Sequence, residues 1–66
     1  MGNVSVRKET GKLYFDFRYQ GQRCREQTLL ENTPENIRKM QAMLKRIDAE
    51  ITLGTFDYAR YFPTSP

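Results

Sequence analysis

The sequence contains no histidine and only one cysteine, Cys24. A single thiol cannot form a disulfide within the chain, and without histidine there is no ligand set for a structural zinc site. Histidine is also missing as a general base, and the glycines occur as turn and cap residues instead of a phosphate-binding loop. We therefore predict a domain that is not an enzyme and has no cofactor.

Long apolar runs are missing as well. No stretch of about 18 apolar residues occurs, and no signal-peptide core is present, so we expect a soluble, intracellular chain with no membrane partner. A chain of 66 residues is enough for one small domain. That domain must be stabilised by packing alone or by neighbouring segments.

Positive charge is concentrated in the first half of the chain. The net charge is +3 and the pI is about 9.3, a bias that many ordinary domains share. Its position is more informative, because most of the excess falls on the predicted strands. The basic residues of this half are Arg7, Lys8, Lys12, Arg18, Arg23 and Arg25.

Residues 12–28 are predicted to form a β-hairpin with two different faces. Apolar and polar residues alternate strictly along residues 13–19, which is typical of a half-buried strand. Gln20-Gly21 suits a two-residue turn, and a return strand over residues 22–28 then places Arg18 opposite Arg23. The apolar face carries Phe15, Phe17 and Cys24. The polar face carries Tyr14, Asp16, Arg18, Arg23, Arg25 and Gln27.

A first strand is predicted over residues 4–8. If the corner that follows closes with an even number of residues, Val4 faces Phe17, Val6 faces Phe15 and Arg7 faces Tyr14. An odd number would expose both valines, so the apolar pattern favours the even register. The three strands then form an antiparallel sheet in the order 1-2-3.

The apolar face of such a sheet needs a helix to cover it. Thr33 is a suitable N-cap, Pro34 suits the first helical position, and Gly54 marks the end. We predict a helix over residues 34–53 and an α+β fold. Its apolar stripe consists of Ile37, Met40, Leu44, Ile47 and Ile51.

Residues 55–66 contain four aromatic side chains and end in Pro-Thr-Ser-Pro. Phe56 and one or two others are expected to fold back over the core, while docking of a partner stays an open alternative. We interpret residues 1–54 as the domain proper. Residues 55–66 are then an exit segment and linker toward a further domain.

The polar face of the sheet suits double-stranded DNA. Arginine can grip guanine bidentately, glutamine can grip adenine, and a narrow β-ribbon fits the major groove. Asp16 is expected to orient Arg25, and the facing like charges of Arg18 and Arg23 favour an anionic partner. A solvated polar face with no partner is the plain alternative. Phosphates could be held at the rim by Lys8, Lys12 and either Arg38 or Lys39.

Three segments together resemble a known family. They are the hairpin GKLYFDFRYQGQRCREQT, the helix opened by Thr-Pro, and the run LGTFDYARYFP. The combination resembles the N-terminal arm-type DNA-binding domain of phage and prophage integrases, which are tyrosine-type site-specific recombinases. The resemblance extends from about Ser5 to Pro63.

The resemblance implies binding to arm-type DNA sites through a three-stranded sheet in the major groove, in support of DNA integration and recombination in the cytoplasm of a bacterial host. It implies further partners for the full-length protein: other integrase protomers, DNA-bending proteins and excision proteins. Strand cleavage would belong to a catalytic domain outside this sequence. The DNA-binding residues expected are Arg7, Lys12, Tyr14, Arg18, Arg23, Arg25 and Gln27.

A second hypothesis is a protein-interaction module that docks through the aromatic tail or the sheet face. RNA binding is a third, minor option, because RNA-reading sheets usually stack bases on several exposed aromatic side chains. Tyr14 is the only aromatic side chain predicted to point clearly outward from this sheet.

Overall fold

A computed structural model describes residues 2–63 of the chain. Three antiparallel strands come first and form a sheet in the order β1-β2-β3, so the predicted α+β fold and strand order are confirmed. The elements are β1 (Asn3–Val6), β2 (Lys12–Tyr19), β3 (Gln22–Glu31), α1 (Pro34–Leu53) and α2 (Tyr58–Tyr61).

The hairpin of β2 and β3 has the predicted register. Gln20 and Gly21 form its turn with φ angles of 53° and 77°, and two positive φ values match the right-handed twist of the flanking strands. Arg18 lies opposite Arg23 and Phe17 lies opposite Cys24. This tight turn therefore fixes which side chains share a face.

The hairpin becomes irregular at its far end. The register shifts between Lys12 and Tyr14, so that Lys12 pairs with Glu31. The hydroxyl of Thr28 donates to the carbonyl of Leu13 at 2.8 Å, which satisfies a backbone group at the shift. Consequently β3 continues to Glu31, beyond the predicted end at Thr28.

The register predicted for β1 is wrong by two residues. Val4 lies opposite Phe15, and Ser5, instead of Arg7, lies opposite Tyr14. The cause is a corner longer than expected: residues 8–11 form it, and the Arg7 amide donates to the Lys12 carbonyl at 2.8 Å. Thus β1 ends at Val6 and not at residue 8. The corner still contains an even number of residues, so both valines keep the predicted side of the sheet.

Helix α1 has the predicted bounds and caps. The Thr33 side chain accepts a hydrogen bond from the Asn36 amide, and Gly54 ends the helix with a φ of 76°. The left-handed conformation at Gly54 is the usual helix stop. The helix packs on β1 and β2, and it covers the apolar face of the sheet with Met40, Leu44 and Ile47.

One core joins the sheet, the helix and the C-terminal segment. Among residues 2–63 the buried apolar side chains are Leu13, Phe15, Phe17, Met40, Leu44, Ile47 and Phe56. Val4, Tyr19 and Cys24 pack against this cluster at its border, as does Ile37. Val6, at the end of β1, is 42% exposed.

Residues 55–63, which we call the aromatic segment, fold back over the core. Phe56 is 8% exposed, and its ring meets Phe17 edge to face with the ring centroids 6.1 Å apart. Phe62 stacks on Phe17 at 6.0 Å, and the Tyr58 hydroxyl donates to the Glu26 carboxylate. The short helix α2 within this segment was not predicted. Thr64, Ser65 and Pro66, which belong to the predicted linker, lie outside the described residues.

Candidate nucleic-acid interface

The face of the sheet turned away from α1 carries the polar side chains of β2 and β3. Side chains alternate along a strand, so the neighbours of the buried Phe15 and Phe17 must point to the opposite side. We call this side the outer face. It is made by Lys12, Tyr14, Asp16 and Arg18 from β2 and by Arg23, Arg25 and Gln27 from β3.

Two polar residues of β1 also belong to the outer face, although the sequence did not single them out. Asn3 lies opposite Asp16, and Ser5 lies opposite Tyr14. The Ser5 hydroxyl donates to the Asn3 side-chain oxygen at 3.1 Å. Their signal was present in the alternation of Asn3 and Ser5 with the apolar Val4 and Val6.

A bidentate ion pair fixes one arginine of the outer face. The Arg23 Nε donates to Asp16 Oδ1 at 3.1 Å, and its Nη2 donates to Asp16 Oδ2 at 2.7 Å. The hydrogen bond from Arg23 holds the pKa of the Asp16 carboxyl below its usual value, and nearby Arg25 and Arg18 act in the same direction. The same bond raises the pKa of the Arg23 guanidinium.

This pair corrects the prediction that Asp16 orients Arg25. Arg25 lies directly opposite Asp16, but the carboxylate pairs with the diagonal neighbour Arg23. Diagonal positions are within reach of long side chains, and the twist of a sheet brings one diagonal closer than the other. Arg18 does face Arg23 as predicted, yet Asp16 already offsets part of that repulsion.

A family model described as "Arm DNA-binding domain" matches residues 1–66, which is the whole chain. The chain belongs to the arm DNA-binding domain family. This is a domain of phage integrases, so the resemblance inferred from the hairpin, helix and aromatic run is confirmed. Searches of curated proteins and of solved structures find no significant match.

The arm domain has a groove at one end of its outer face. Its volume is about 340 Å³, and its lining includes Tyr14, Arg25 and Gln27 together with residues next to the β1–β2 corner. Arg7 borders the groove from the corner and pairs through Nε with Glu9 Oε2 at 2.9 Å. Arg7 is therefore near the predicted site, although it does not face Tyr14 across the strands.

The predicted phosphate contacts at the rim separate into two groups. Lys8 borders the same groove, and Lys12 lies on β2 at the same end of the sheet. Arg38 and Lys39 belong to α1, which covers the opposite side of the sheet. The structure of the arm domain thus places Lys12 on the outer face and Lys8 beside it, and leaves the helix residues apart from it.

Residues 2–63 contain no group of three or more histidine, cysteine, aspartate or glutamate side chains that could hold a metal ion. Cys24 is half-buried and packs against the core. No helix within residues 2–63 is long and apolar enough to cross a membrane.

Proposed function

We propose that this arm domain binds double-stranded DNA sequence-specifically at arm-type sites, with the outer face inserted in the major groove. The observation that carries the proposal is the separation of the two faces. Arg18, Arg23 and Arg25 share an exposed side of the sheet, while α1 and the aromatic segment occupy the other side. Cationic side chains on one accessible surface are the electrostatic footprint of a DNA-binding domain.

The width of the sheet supports the major groove over the minor groove. Neighbouring strands lie about 4.8 Å apart, so three strands span roughly 10 Å. This matches a major groove of about 12 Å and exceeds a minor groove of about 6 Å. The outer face also offers side chains for both kinds of contact: arginines and Gln27 suit base edges, and Lys8 and Lys12 suit phosphates.

The wider role follows from the family. We propose that the domain supports DNA integration and recombination as part of a phage or prophage integrase in the cytoplasm of a bacterial host. Its own contribution is binding and not catalysis, and strand cleavage belongs to another part of the tyrosine-type recombinase. Other integrase protomers and DNA-bending or excision proteins would be partners of the full-length protein.

A protein-interaction role has less support. The aromatic segment would be its natural docking surface, but Phe56 is buried and the rings of Tyr58 and Phe62 pack against Phe17. Docking through the rings that contact Phe17 would displace them from the core. The outer face is therefore the better-supported docking surface for this alternative, and the experiment below examines it directly.

The test is a backbone amide NMR titration of the 66-residue chain with a short duplex at low and then physiological salt. We expect shifts along β2 and β3 that fade with salt, and log affinity should fall by about 0.9 per log unit of salt for each phosphate neutralised. Arg18→Glu should weaken binding at least about tenfold and reduce that slope by about one.

The matched control is Lys45→Glu, which makes the same change of charge on the exposed side of α1. It should leave most of the affinity intact. Shifts confined to α1, or equal losses in both variants, would contradict the use of the outer face. An absence of shifts at either salt concentration would favour the protein-interaction role.

A further inference from the structure

The three arginines of the outer face are not equivalent. Arg23 is held at two points by Asp16, whereas within residues 2–63 Arg18 and Arg25 make no hydrogen bond or ion pair. The Asp16 side chain is only 15% exposed, while the Arg23 side chain is 56% exposed. The carboxylate is thus sheltered in the sheet, and the guanidinium that it holds projects from it.

The geometry of the ion pair determines which N–H donors of Arg23 remain free to bind a ligand. A guanidinium has five N–H donors in a rigid plane. Asp16 takes the Nε–H and one Nη2–H, which form the side edge of the group. Three N–H donors remain. One on each Nη lies along the free end, and these two point in parallel, while the second donor of Nη1 points back toward Cδ. Two parallel donors match the N7 and O6 acceptors that guanine presents in the major groove.

Resting on the proposed function, we infer that Arg23 reads a guanine, that Asp16 is its positioning residue, and that Arg18 and Arg25 bind phosphates. A guanidinium already fixed by Asp16 loses little side-chain entropy when it meets a base, which favours a contact with strict geometry. Arg18 and Arg25 have no such constraint, and an unconstrained cation suits a phosphate, which accepts hydrogen bonds from many directions.

The position of Asp16 supports the same assignment. A carboxylate on a DNA-facing surface repels phosphates and therefore lowers affinity for every DNA sequence. An acidic residue that only stabilised the fold could occupy the opposite side of the molecule without this cost. A carboxylate that fixes a base-reading arginine offsets the cost by improving discrimination between sequences.

The experiment is selection of binding sites from a pool of random-sequence duplexes with the 66-residue chain. Affinities for the selected duplex and its single-base variants are then measured at physiological salt for the parent, Asp16→Asn and Arg23→Lys. Lysine keeps the charge but lacks the planar fork. Arg18→Lys and Arg25→Lys are the matched controls, because they make the same exchange at neighbouring positions of the outer face.

We expect the parent to prefer guanine at one position by about 5- to 150-fold. Asp16→Asn and Arg23→Lys should lose most of this preference at that same position, and the two controls should keep it. Asp16→Asn should also bind non-selected duplexes as tightly as the parent or more tightly, because it removes a negative charge from the surface. A variant that was merely unfolded would lose affinity for all duplexes, and amide spectra report the fold independently.

Two results would overturn the inference while leaving the proposed function intact. One is an Asp16→Asn variant with the parent's preference at every position. The other is loss of the guanine preference in Arg25→Lys or Arg18→Lys instead of Arg23→Lys. A parent chain that selects no sequence and binds no duplex would overturn the proposed function, and this inference with it.

Discussion

The two faces of the sheet differ in how completely they are covered. On the inner face Leu13, Phe15 and Phe17 are each 2% exposed, whereas on the outer face the side chains of Arg18, Arg23 and Arg25 are exposed. Because side chains alternate along a strand, residues that adjoin in sequence serve different faces. Under the proposed function, stability and DNA binding depend on interleaved sets of residues, and each set should be alterable without the other.

The largest effect should come from breaking the inner face. Phe17→Ala should lower the free energy of unfolding by about 3–5 kcal/mol, because it opens a cavity where the sheet meets the rings of Phe56 and Phe62. The neighbouring Arg18→Ala should change it by less than about 0.5 kcal/mol. The substitution also removes a like charge that faces Arg23, which favours a slight gain in the free energy of unfolding. Urea unfolding followed by circular dichroism measures both.

If Phe17→Ala is unfolded without urea, the milder Phe17→Leu supplies a measurable loss. A loss in Arg18→Ala comparable to that in the Phe17 variants would mean that both faces are structural, and the comparison of the faces would fail.

A smaller effect should follow from loosening the aromatic segment. Tyr58→Phe removes the hydrogen bond to Glu26 and should cost about 1 kcal/mol. Burial, together with this bond to a carboxylate, raises the pKa of the Tyr58 phenol. The folded chain then keeps a proton that the unfolded chain releases near pH 10, so stability from this group is intact below about pH 10 and is lost as the pH rises further.

Thermal unfolding measured between neutral and strongly alkaline pH checks this prediction. Tyr58→Phe should show a shallower alkaline loss of stability than the parent. Tyr61→Phe is the companion variant, because a hydrogen bond to Glu50 raises the pKa of Tyr61 in the same direction. An unchanged alkaline loss in Tyr58→Phe would show that this bond does not fasten the segment to β3.

The smallest effect on stability should come from the outer face. The pKa of Asp16 is lowered by Arg23, so the pair stabilises the fold above the usual carboxyl pKa and the contribution disappears as the pH falls through the folded value. The Arg23 side of this pair is exposed to solvent, and ion pairs that solvent reaches contribute little to stability. Asp16→Asn should therefore remove only a minor part of the acid-induced loss, as measured by unfolding at falling pH. A large destabilisation at neutral pH would make Asp16 a structural residue.

Prediction from the sequence succeeded where short-range geometry leaves one solution. A two-residue turn at Gln20-Gly21 allows a single register, so the pairs from Tyr19–Gln22 to Tyr14–Gln27 could be assigned. Thr33 and Gly54 likewise define the ends of α1, because caps act on their own helix. At the β1–β2 corner, turns of two and four residues keep the same faces, and the apolar pattern cannot choose between them.

Which residues lie on the outer face was easier to predict than which of them contact each other. Alternation along the strands placed Asp16 and Arg23 on one side correctly, but the choice of a diagonal partner depends on the twist of the sheet. The register shift near Leu13 could not be predicted from the sequence either. There the side-chain hydroxyl of Thr28 replaces a backbone group as the hydrogen-bond partner of the Leu13 carbonyl. That residues 55–66 lead into a further domain stays a prediction.

The packing of the aromatic segment also determines the order in which parts of the fold form. The β2–β3 hairpin joins residues that are close in sequence, and hairpins form within about 1–10 μs. The contacts of Phe56 and Phe62 with Phe17 join distant parts of the chain, and such closures come later because they cost more chain entropy. During synthesis the outer face can thus take shape first. The part of the inner face around Phe17 that Phe56 and Phe62 cover remains open, and exposed to unwanted association, until these aromatic residues have been made.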